Sequence, residues 1–202
     1  MIAADELQQV NPRLWLWQAY DPQVKSDLFS SALLGADGLT LVDPIPLTSS
    51  ALADLTDRGK IARILVTNSN HLRAALDFAL DFAAPIFWGE QISEKIAGVD
   101  SILIDSATQI ASNITPLAID GAASGETAFH LEGDGGTIVL GDALLHLEPY
   151  GFALLPAKYC SDQEAMRRSL RQLLDWPFDR LLFAHGWPIL SAARVRLEAL
   201  LR

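Results

Sequence analysis

The sequence predicts an α+β fold in which two β-sheets pack together and helices cover their outer faces. Short apolar and aromatic runs fill the first third of the chain, and turn signals such as Gly35-Ala-Asp-Gly38 separate them, which is typical of strands. A second strand-rich block spans residues 101–141. Helical periodicity flanks both blocks, but strict strand–helix–strand repetition is absent. A doubly wound parallel sheet is therefore the second choice.

The individual elements follow from local hydrophobic patterns. Strands are predicted at residues 13–18, 28–34, 39–42, 62–66, 85–88, 114–119, 127–131, 137–140 and 178–184. A first helix is predicted to begin at Ser49 or Ser50, and two more to span 71–83 and 90–97. A fourth helix is predicted to begin at the capping box Ser161-Asp-Gln-Glu164. A final helix is predicted to carry one apolar stripe formed by Ile189, Ala193, Leu197 and Leu200.

Composition excludes several classes of protein. A length of 202 residues favours a single domain over 1–202, since domains commonly have about 100–200 residues. The net charge of −10 argues against nonspecific binding to nucleic acid or anionic membranes. One cysteine, Cys160, excludes an internal disulfide framework. No apolar run approaches the roughly 20 residues of a membrane span, and the acidic N-terminus lacks signal-peptide order, so we expect a cytoplasmic protein.

Unusual polar residues follow three of the predicted strands. The segments are Thr67-Asn-Ser-Asn-His-Leu-Arg73, Gly141-Asp-Ala143 and Ala184-His-Gly-Trp-Pro188. In order and spacing they resemble the metallo-β-lactamase fold family, which carries Thr-His-x-His-x-Asp-His, then Gly-His-Thr-Pro-Gly, Gly-Asp-Ala and a late His-Gly. The resemblance covers nearly the whole chain and implies a four-layer αββα sandwich and a relationship to metal-dependent hydrolases.

The resemblance also shows where this sequence departs from the family. Seven positions correspond to the family's metal ligands: Asn68, Asn70, Leu72, Arg73, Ala122, Asp142 and His185. Only Asp142 and His185 keep the residue type that the family has there, and the other five residues are unsuitable as metal ligands. Neutral amide oxygens are weak zinc ligands beside imidazole, and a guanidinium cannot ligate a metal. We therefore expect a pocket at Asn68, Asn70, Arg73, Ala122, Asp142 and His185 that holds no metal and needs no cofactor.

An arginine in this pocket suggests what replaced the metal. A buried carboxylate without a counter-charge is unfavourable, so Arg73 is predicted to form an ion pair with Asp142. If a metal is bound after all, the expected ligands are Asp142 and His185, with His71 as a third candidate, and the ion is a single zinc, iron or manganese.

Other polar and aromatic residues are weaker candidates. His71, Glu126 and Trp187 are predicted neighbours of the pocket, with Glu126 a candidate acid–base group and Trp187 a candidate lining residue. His130 alternates with apolar neighbours on a strand and is predicted to be a surface histidine.

Two functions of different class remain open at this point. The first is a protein with a degenerate metal site that performs no binuclear zinc hydrolysis and binds a small-molecule ligand or a partner. The alternative is a divergent hydrolase of a small ester- or thioester-like substrate that uses a single metal or none. Whether the protein is an enzyme is left open, and if it is one, it is a hydrolase. The sequence does not specify the substrate, the oligomeric state or any protein partner.

Overall fold

A computed structural model describes residues 2–89, 99–105 and 107–202. The helix predicted at 90–97 lies outside the described residues. The first sheet has seven strands, and hydrogen-bonded neighbours follow chain order: β1 (Gln8–Asn11), β2 (Leu14–Asp21), β3 (Ser26–Gly35), β4 (Gly38–Val42), β5 (Ile61–Val66), β6 (Ile86–Trp88) and β7 (Ser101–Leu103). Strands β1 to β4 pair antiparallel, and β4 to β7 pair parallel.

The second sheet has four strands in the order β13-β10-β9-β8, namely β8 (Ile114–Ala118), β9 (Thr127–Leu131), β10 (Thr137–Leu140) and β13 (Arg180–Phe183). Strands β10 and β13 are parallel, and the other pairs are antiparallel. A separate hairpin, β11 (Leu144–Leu147) and β12 (Gly151–Leu154), was not predicted from the sequence. Among the described residues, the α-helices are α1 (Ser49–Thr56), α2 (Ala75–Phe82), α3 (Gln163–Gln172) and α4 (Ala193–Leu201).

Three apolar clusters define four layers. Side chains alternate across each strand, so Trp15 and Trp17 pack beneath α1 and α2, whereas Leu14 and Leu16 pack between the sheets. Phe129 joins the cluster between the sheets from the other side. On the outer face of the second sheet, the apolar residues of β10 and β13 meet those of α3 and α4. The predicted αββα sandwich is confirmed by this arrangement.

Two helices begin later than the sequence predicted. The helix predicted from His71 is interrupted: a 3₁₀ turn covers Ser69–His71, Arg73 adopts a positive φ of 42°, and α2 starts at Ala75. The final helix starts at Ala193, because Ile189 instead makes backbone hydrogen bonds with Leu181 of β13.

His130 is not on the surface, contrary to the sequence prediction. Its side chain points outward from β9, but the chain after α3 covers it, and only 1% of the residue is exposed. Its ring lies 5.0 Å from that of Trp176, and Nε2 is 2.8 Å from the carbonyl oxygen of Pro177. None of the described helices is long and apolar enough to span a membrane.

Candidate metal centre

The site lies where the carboxyl ends of two parallel strand pairs meet, one pair in each sheet. Asp43 follows β4 and Thr67 follows β5 in the first sheet. Asp142 follows β10 and His185 follows β13 in the second. Because the sheets face each other, these four short loops converge at one edge of the sandwich. Rigid strands thus aim the polar side chains of four separate segments at one place.

His71 is held from one side of its ring. The 3₁₀ turn that carries it is capped by Asn68, whose Oδ1 accepts from the backbone N–H of Asn70 at 2.9 Å. Nδ1 of His71 lies 2.8 Å from Oγ1 of Thr67 and 3.2 Å from Oδ2 of Asp43. The Thr67 hydroxyl and backbone N–H both donate to the Asp43 carboxylate, at 2.5 and 2.8 Å. Since only acceptors surround Nδ1, that nitrogen carries a proton.

The other side of the ring faces Asp142. Nε2 of His71 lies 3.4 Å from Oδ1 of Asp142, and Nε2 of His185 lies 3.5 Å from the same oxygen. One ligand atom from each of the three residues lies within 4.8 Å of the other two. Nε2 of His71 is buried and makes no hydrogen bond. The three side chains therefore present a converging set of two imidazoles and one carboxylate.

A second carboxylate lies directly behind Asp142. Asn68 donates from Nδ2 to Oδ2 of Asp142 at 3.1 Å and to Oε2 of Glu126 at 2.7 Å. Glu126 also accepts, through Oε1, from the backbone N–H groups of Gly141 at 3.0 Å and Ala143 at 3.2 Å. A Cβ atom on Gly141 would lie 2.6 Å from Oγ1 of Thr67 and 2.7 Å from Nδ2 of Asn68, so no side chain fits there.

The electrostatics follow from burial and from the pairing of these groups. Burial opposes the charged form of His71, but the carboxylates of Asp43 and Asp142 outweigh it and raise the pKa of His71 to about 9. Burial likewise opposes ionisation of the two aspartates, and the neighbouring His71 nevertheless lowers the pKa of both. His185 behaves oppositely: burial and the charge of His71 lower its pKa to about 4.

Glu126 and Arg73 are both affected by burial. Burial, together with the charge of Asp142, raises the pKa of Glu126 to about 7. Burial also lowers the pKa of Arg73, against the opposing charges of Asp43 and Asp142.

The predicted ion pair between Arg73 and Asp142 is wrong. Arg73 instead donates to three backbone carbonyl oxygens: Nη1 to Phe29 at 2.7 Å and to Asp43 at 3.1 Å, and Nη2 to Ala184 at 3.2 Å. Arg73 has a positive φ, and its side chain reaches a carbonyl group within β3 and the carbonyl groups that directly follow β4 and β13, not the carboxylate. The cationic partner that Asp142 has is the imidazole of His71.

The remaining predicted residues lie at varying distances from this centre. Asn70 is exposed at its edge, and a side-chain hydrogen bond from it contributes to the lowered pKa of Asp142. Ala122 is 3% exposed and packs in the apolar cluster of the second sheet and α3. Trp187 is 49% exposed and its ring contacts that of Phe29 edge-on, with centroids 5.6 Å apart, so it lies at the rim.

Sequence reasoning missed two members of the site, Asp43 and Thr67. The sequence offered a signal for Asp43, because an acidic residue directly follows a fully buried strand. Thr67 was included in a site segment but given no role.

Comparison with known proteins identifies the family. The sequence from residue 7 to residue 202 matches the family model described as the metallo-beta-lactamase superfamily. The chain therefore belongs to the metallo-β-lactamase superfamily. The comparison with curated proteins gives no match.

Solved structures support the same fold at low sequence identity. DIM-1 metallo-beta-lactamase exposed to ceftazidime is similar with a TM-score of 0.76 and 11% identity, covering 99% of this chain and 97% of that one. A metallo-beta-lactamase from Pontibacter korlensis has a TM-score of 0.74 and 12% identity, covering 97% and 98%. A metallo-beta-lactamase family protein from Thermus thermophilus has a TM-score of 0.66 and 22% identity, covering 95% and 79%. At these identities the likeness establishes the fold alone.

Proposed function

We propose that this protein is a hydrolase with a single metal ion bound by His71, Asp142 and His185. The observation that carries the proposal is the spacing of these ligand atoms. The separations of 3.4 and 3.5 Å from Oδ1 of Asp142 exceed the about 2.7–3.2 Å of good N–H···O hydrogen bonds. They match the roughly 3.4 Å that separates two ligands of a tetrahedral ion with bonds of about 2.1 Å.

The surroundings of His71 also support a metal site. Nδ1 of His71 contacts Asp43 and Thr67, while Nε2 is buried and faces Oδ1 of Asp142 at 3.4 Å, too far for a good hydrogen bond. A histidine that ligates a metal almost always donates its other N–H to a carboxylate or carbonyl, which fixes the tautomer. Asp43 occupies that position. A buried imidazole nitrogen left without a partner is otherwise unfavourable.

The family's second metal finds no comparable support among the described residues. Oδ1 of Asn68 accepts from a backbone N–H, and its amide nitrogen donates to two carboxylates. Ala122 packs among apolar residues, and the guanidinium of Arg73 donates to backbone carbonyl groups. These positions supply no free donor atom for a second ion.

A bound divalent ion in such a site supplies a Lewis acid and a water of lowered pKa. The chain's own residues hold and shield that position. Asp43 fixes the tautomer of His71, Asn68 holds one oxygen of Asp142, and His185 is the partly exposed ligand on the side of Trp187. We propose a small ester- or thioester-like molecule as the substrate, entering past the rim formed by Trp187 and Asn70.

One observation favours a second candidate, a ligand-binding protein without a metal. When Glu126 is protonated, the centre is electrically balanced by itself, with His71 and Arg73 as cations opposite Asp43 and Asp142. The pKa of His71, raised to about 9 by those carboxylates against the effect of burial, keeps it charged at neutral pH. A self-neutralised cluster of this kind has no electrostatic need for an ion.

Metal analysis of protein purified without a histidine tag distinguishes the two candidates. We expect one zinc, iron or manganese ion per chain, and hydrolysis of p-nitrophenyl acetate that a chelator abolishes and the metal restores. His185→Ala should lose both properties. Asp37→Asn is the control, because the exposed Asp37 pairs with Arg63 outside the centre, and it should leave both unchanged. Two ions per chain, or none after reconstitution, would contradict the proposal.

A further inference from the structure

We infer that Glu126 is a positioning residue that, through Asn68 and two backbone amides, presents Oδ1 of Asp142 to the two histidines. This inference rests on the proposed metal site. Glu126 touches neither histidine, and its role follows from the contacts it makes around Asp142.

The first contacts fix the backbone on both sides of Asp142. Oε1 of Glu126 accepts from the N–H of Gly141 and from the N–H of Ala143, the residues immediately before and after it. One carboxylate oxygen thereby holds the short turn that carries the ligand. Glycine at 141 allows the close approach, since a Cβ there would lie 3.0 Å from Oε1.

The second contact fixes the carboxylate of Asp142 itself. Nδ2 of Asn68 carries two hydrogens and donates to Glu126 on one side and to Oδ2 of Asp142 on the other. Oδ1 of Asn68 accepts from the N–H of Asn70, so the amide cannot turn over without losing that bond. Because Oδ2 of Asp142 is engaged by Asn68, Oδ1 is the oxygen left facing His71 and His185.

Both oxygens of Glu126 must act as acceptors for this arrangement to hold. Glu126 is 4% exposed, so water does not readily replace a lost contact. Glutamine at this position has almost the same volume as glutamate, but its N–H₂ group replaces Oε2 and faces Nδ2 of Asn68, which is also a donor. The Asn68 amide must then turn over and point its oxygen at Asp142, or move away from the glutamine N–H₂ group, and in both cases Oδ2 of Asp142 loses its donor.

The test compares Glu126→Gln with wild type and with Thr137→Val at a pH above 8, using Co²⁺ as the probe. Thr137 is a suitable control because it is also buried, accepts a hydrogen bond from Arg180, and lies at the far end of β10 from Asp142. We expect Glu126→Gln to weaken Co²⁺ binding by about 10- to 100-fold and to change the Co²⁺ absorption spectrum, as loss of outer-shell partners does. Thr137→Val should leave the affinity and the spectrum unchanged at a similar loss of stability.

A second readout does not require a metal. In crystals of the metal-free Glu126→Gln variant, the carboxylate of Asp142 should have left the Asn68 amide and turned Oδ1 away from the histidines. An unchanged Asp142 carboxylate, or wild-type Co²⁺ affinity in the variant, would overturn the inference and leave the metal site standing. Failure of the wild-type protein to bind Co²⁺ would instead overturn the proposed function, while the crystal structures still decide whether Glu126 positions Asp142.

Discussion

Oδ2 of Asp43 lies 3.2 Å from Nδ1 of His71, on the opposite side of the ring from Asp142. Both residues are buried, and Thr67 donates two further hydrogen bonds to the same carboxylate. The contact decides which nitrogen of His71 carries the proton and hence which one is available to a metal. It therefore links the first sheet to the chemistry at the edge of the second.

Asp43→Asn should weaken metal binding by about 10- to 100-fold, the usual effect of removing a carboxylate behind a ligating histidine. The amide N–H₂ would face Nδ1 of His71 and favour the tautomer with its proton on Nε2, where the metal binds. Titration with Co²⁺ measures the effect. Asp37→Asn is the control. It removes an exposed carboxylate that pairs with the buried Arg63, and this variant should bind Co²⁺ as wild type does. Equal affinity in both variants would show that Asp43 does not set the tautomer.

His71→Leu and His185→Leu should both abolish metal binding but differ in stability. In chelator, His71→Leu leaves Asp43 as a buried carboxylate without its cation, which should lower the free energy of unfolding by roughly 3–5 kcal/mol. His185 is neutral, because burial and the charge of His71 lower its pKa to about 4. Removing its side chain therefore leaves no buried charge without a partner. Urea unfolding of the two variants measures the difference, and equal losses would contradict this account.

Arg73→Met should destabilise the protein strongly. The guanidinium donates to three backbone carbonyl groups, one within β3 and two directly after β4 and β13, and each hydrogen bond with a charged partner contributes about 1.5–3 kcal/mol. We expect a loss of about 3 kcal/mol or more in the free energy of unfolding, measured in urea. Arg168→Met, on the exposed face of α3, serves as the control and should change it by less than about 0.5 kcal/mol. A loss no larger than that of the control would show that water replaces these bonds.

The contribution of Glu126 to the stability of the metal-free protein should fall between about pH 5 and about pH 8. Burial and the charge of Asp142 raise the pKa of Glu126 from 4.5 to about 7, so the folded state binds the proton more tightly than the unfolded state. Its contribution is complete below the unfolded pKa and is lost as the pH rises through about 7. The change is on the order of 3 kcal/mol.

Glu126→Gln provides the comparison for this pH dependence, since glutamine does not titrate. The unfolding free energy of wild type relative to that of the variant should fall by on the order of 3 kcal/mol as the pH rises over that interval. A difference that stays constant would mean that Glu126 is ionised throughout.

The fold could be predicted because it follows from the pattern of apolar residues within short segments of the sequence. Alternating apolar residues such as Trp15 and Leu16 send side chains to opposite faces of a strand, and both faces are buried only in a layered sandwich. The same alternation predicts that His130 points away from the space between the sheets, as it does. It could not show that Trp176 and Pro177 cover the outer face of the sheet at that residue. Covering of a sheet face depends on where distant chain segments pass.

Much of the site depended on tertiary geometry. Asp142 and His185 could be assigned to one pocket from the resemblance, and the structure brings them together with His71. The partners of Arg73 could not be predicted, because its positive φ and the positions of three carbonyl groups arise only in the folded chain. Asp142 was predicted as the partner of Arg73 from charge complementarity alone. Backbone carbonyl groups also accept hydrogen bonds from a guanidinium, and the sequence does not show which of them lie near Arg73.

The amide of Asn68 also makes position 68 a difficult place for a histidine to be introduced by a single mutation. A histidine at position 68 has at most one N–H to offer while its other nitrogen binds a metal, and Glu126 and Asp142 each need a donor there. Asn68→His alone would bring two buried carboxylates together before any second ion could be bound. A histidine at position 68 is therefore compatible with this arrangement only if Glu126 changes as well, and either change removes a support of Asp142.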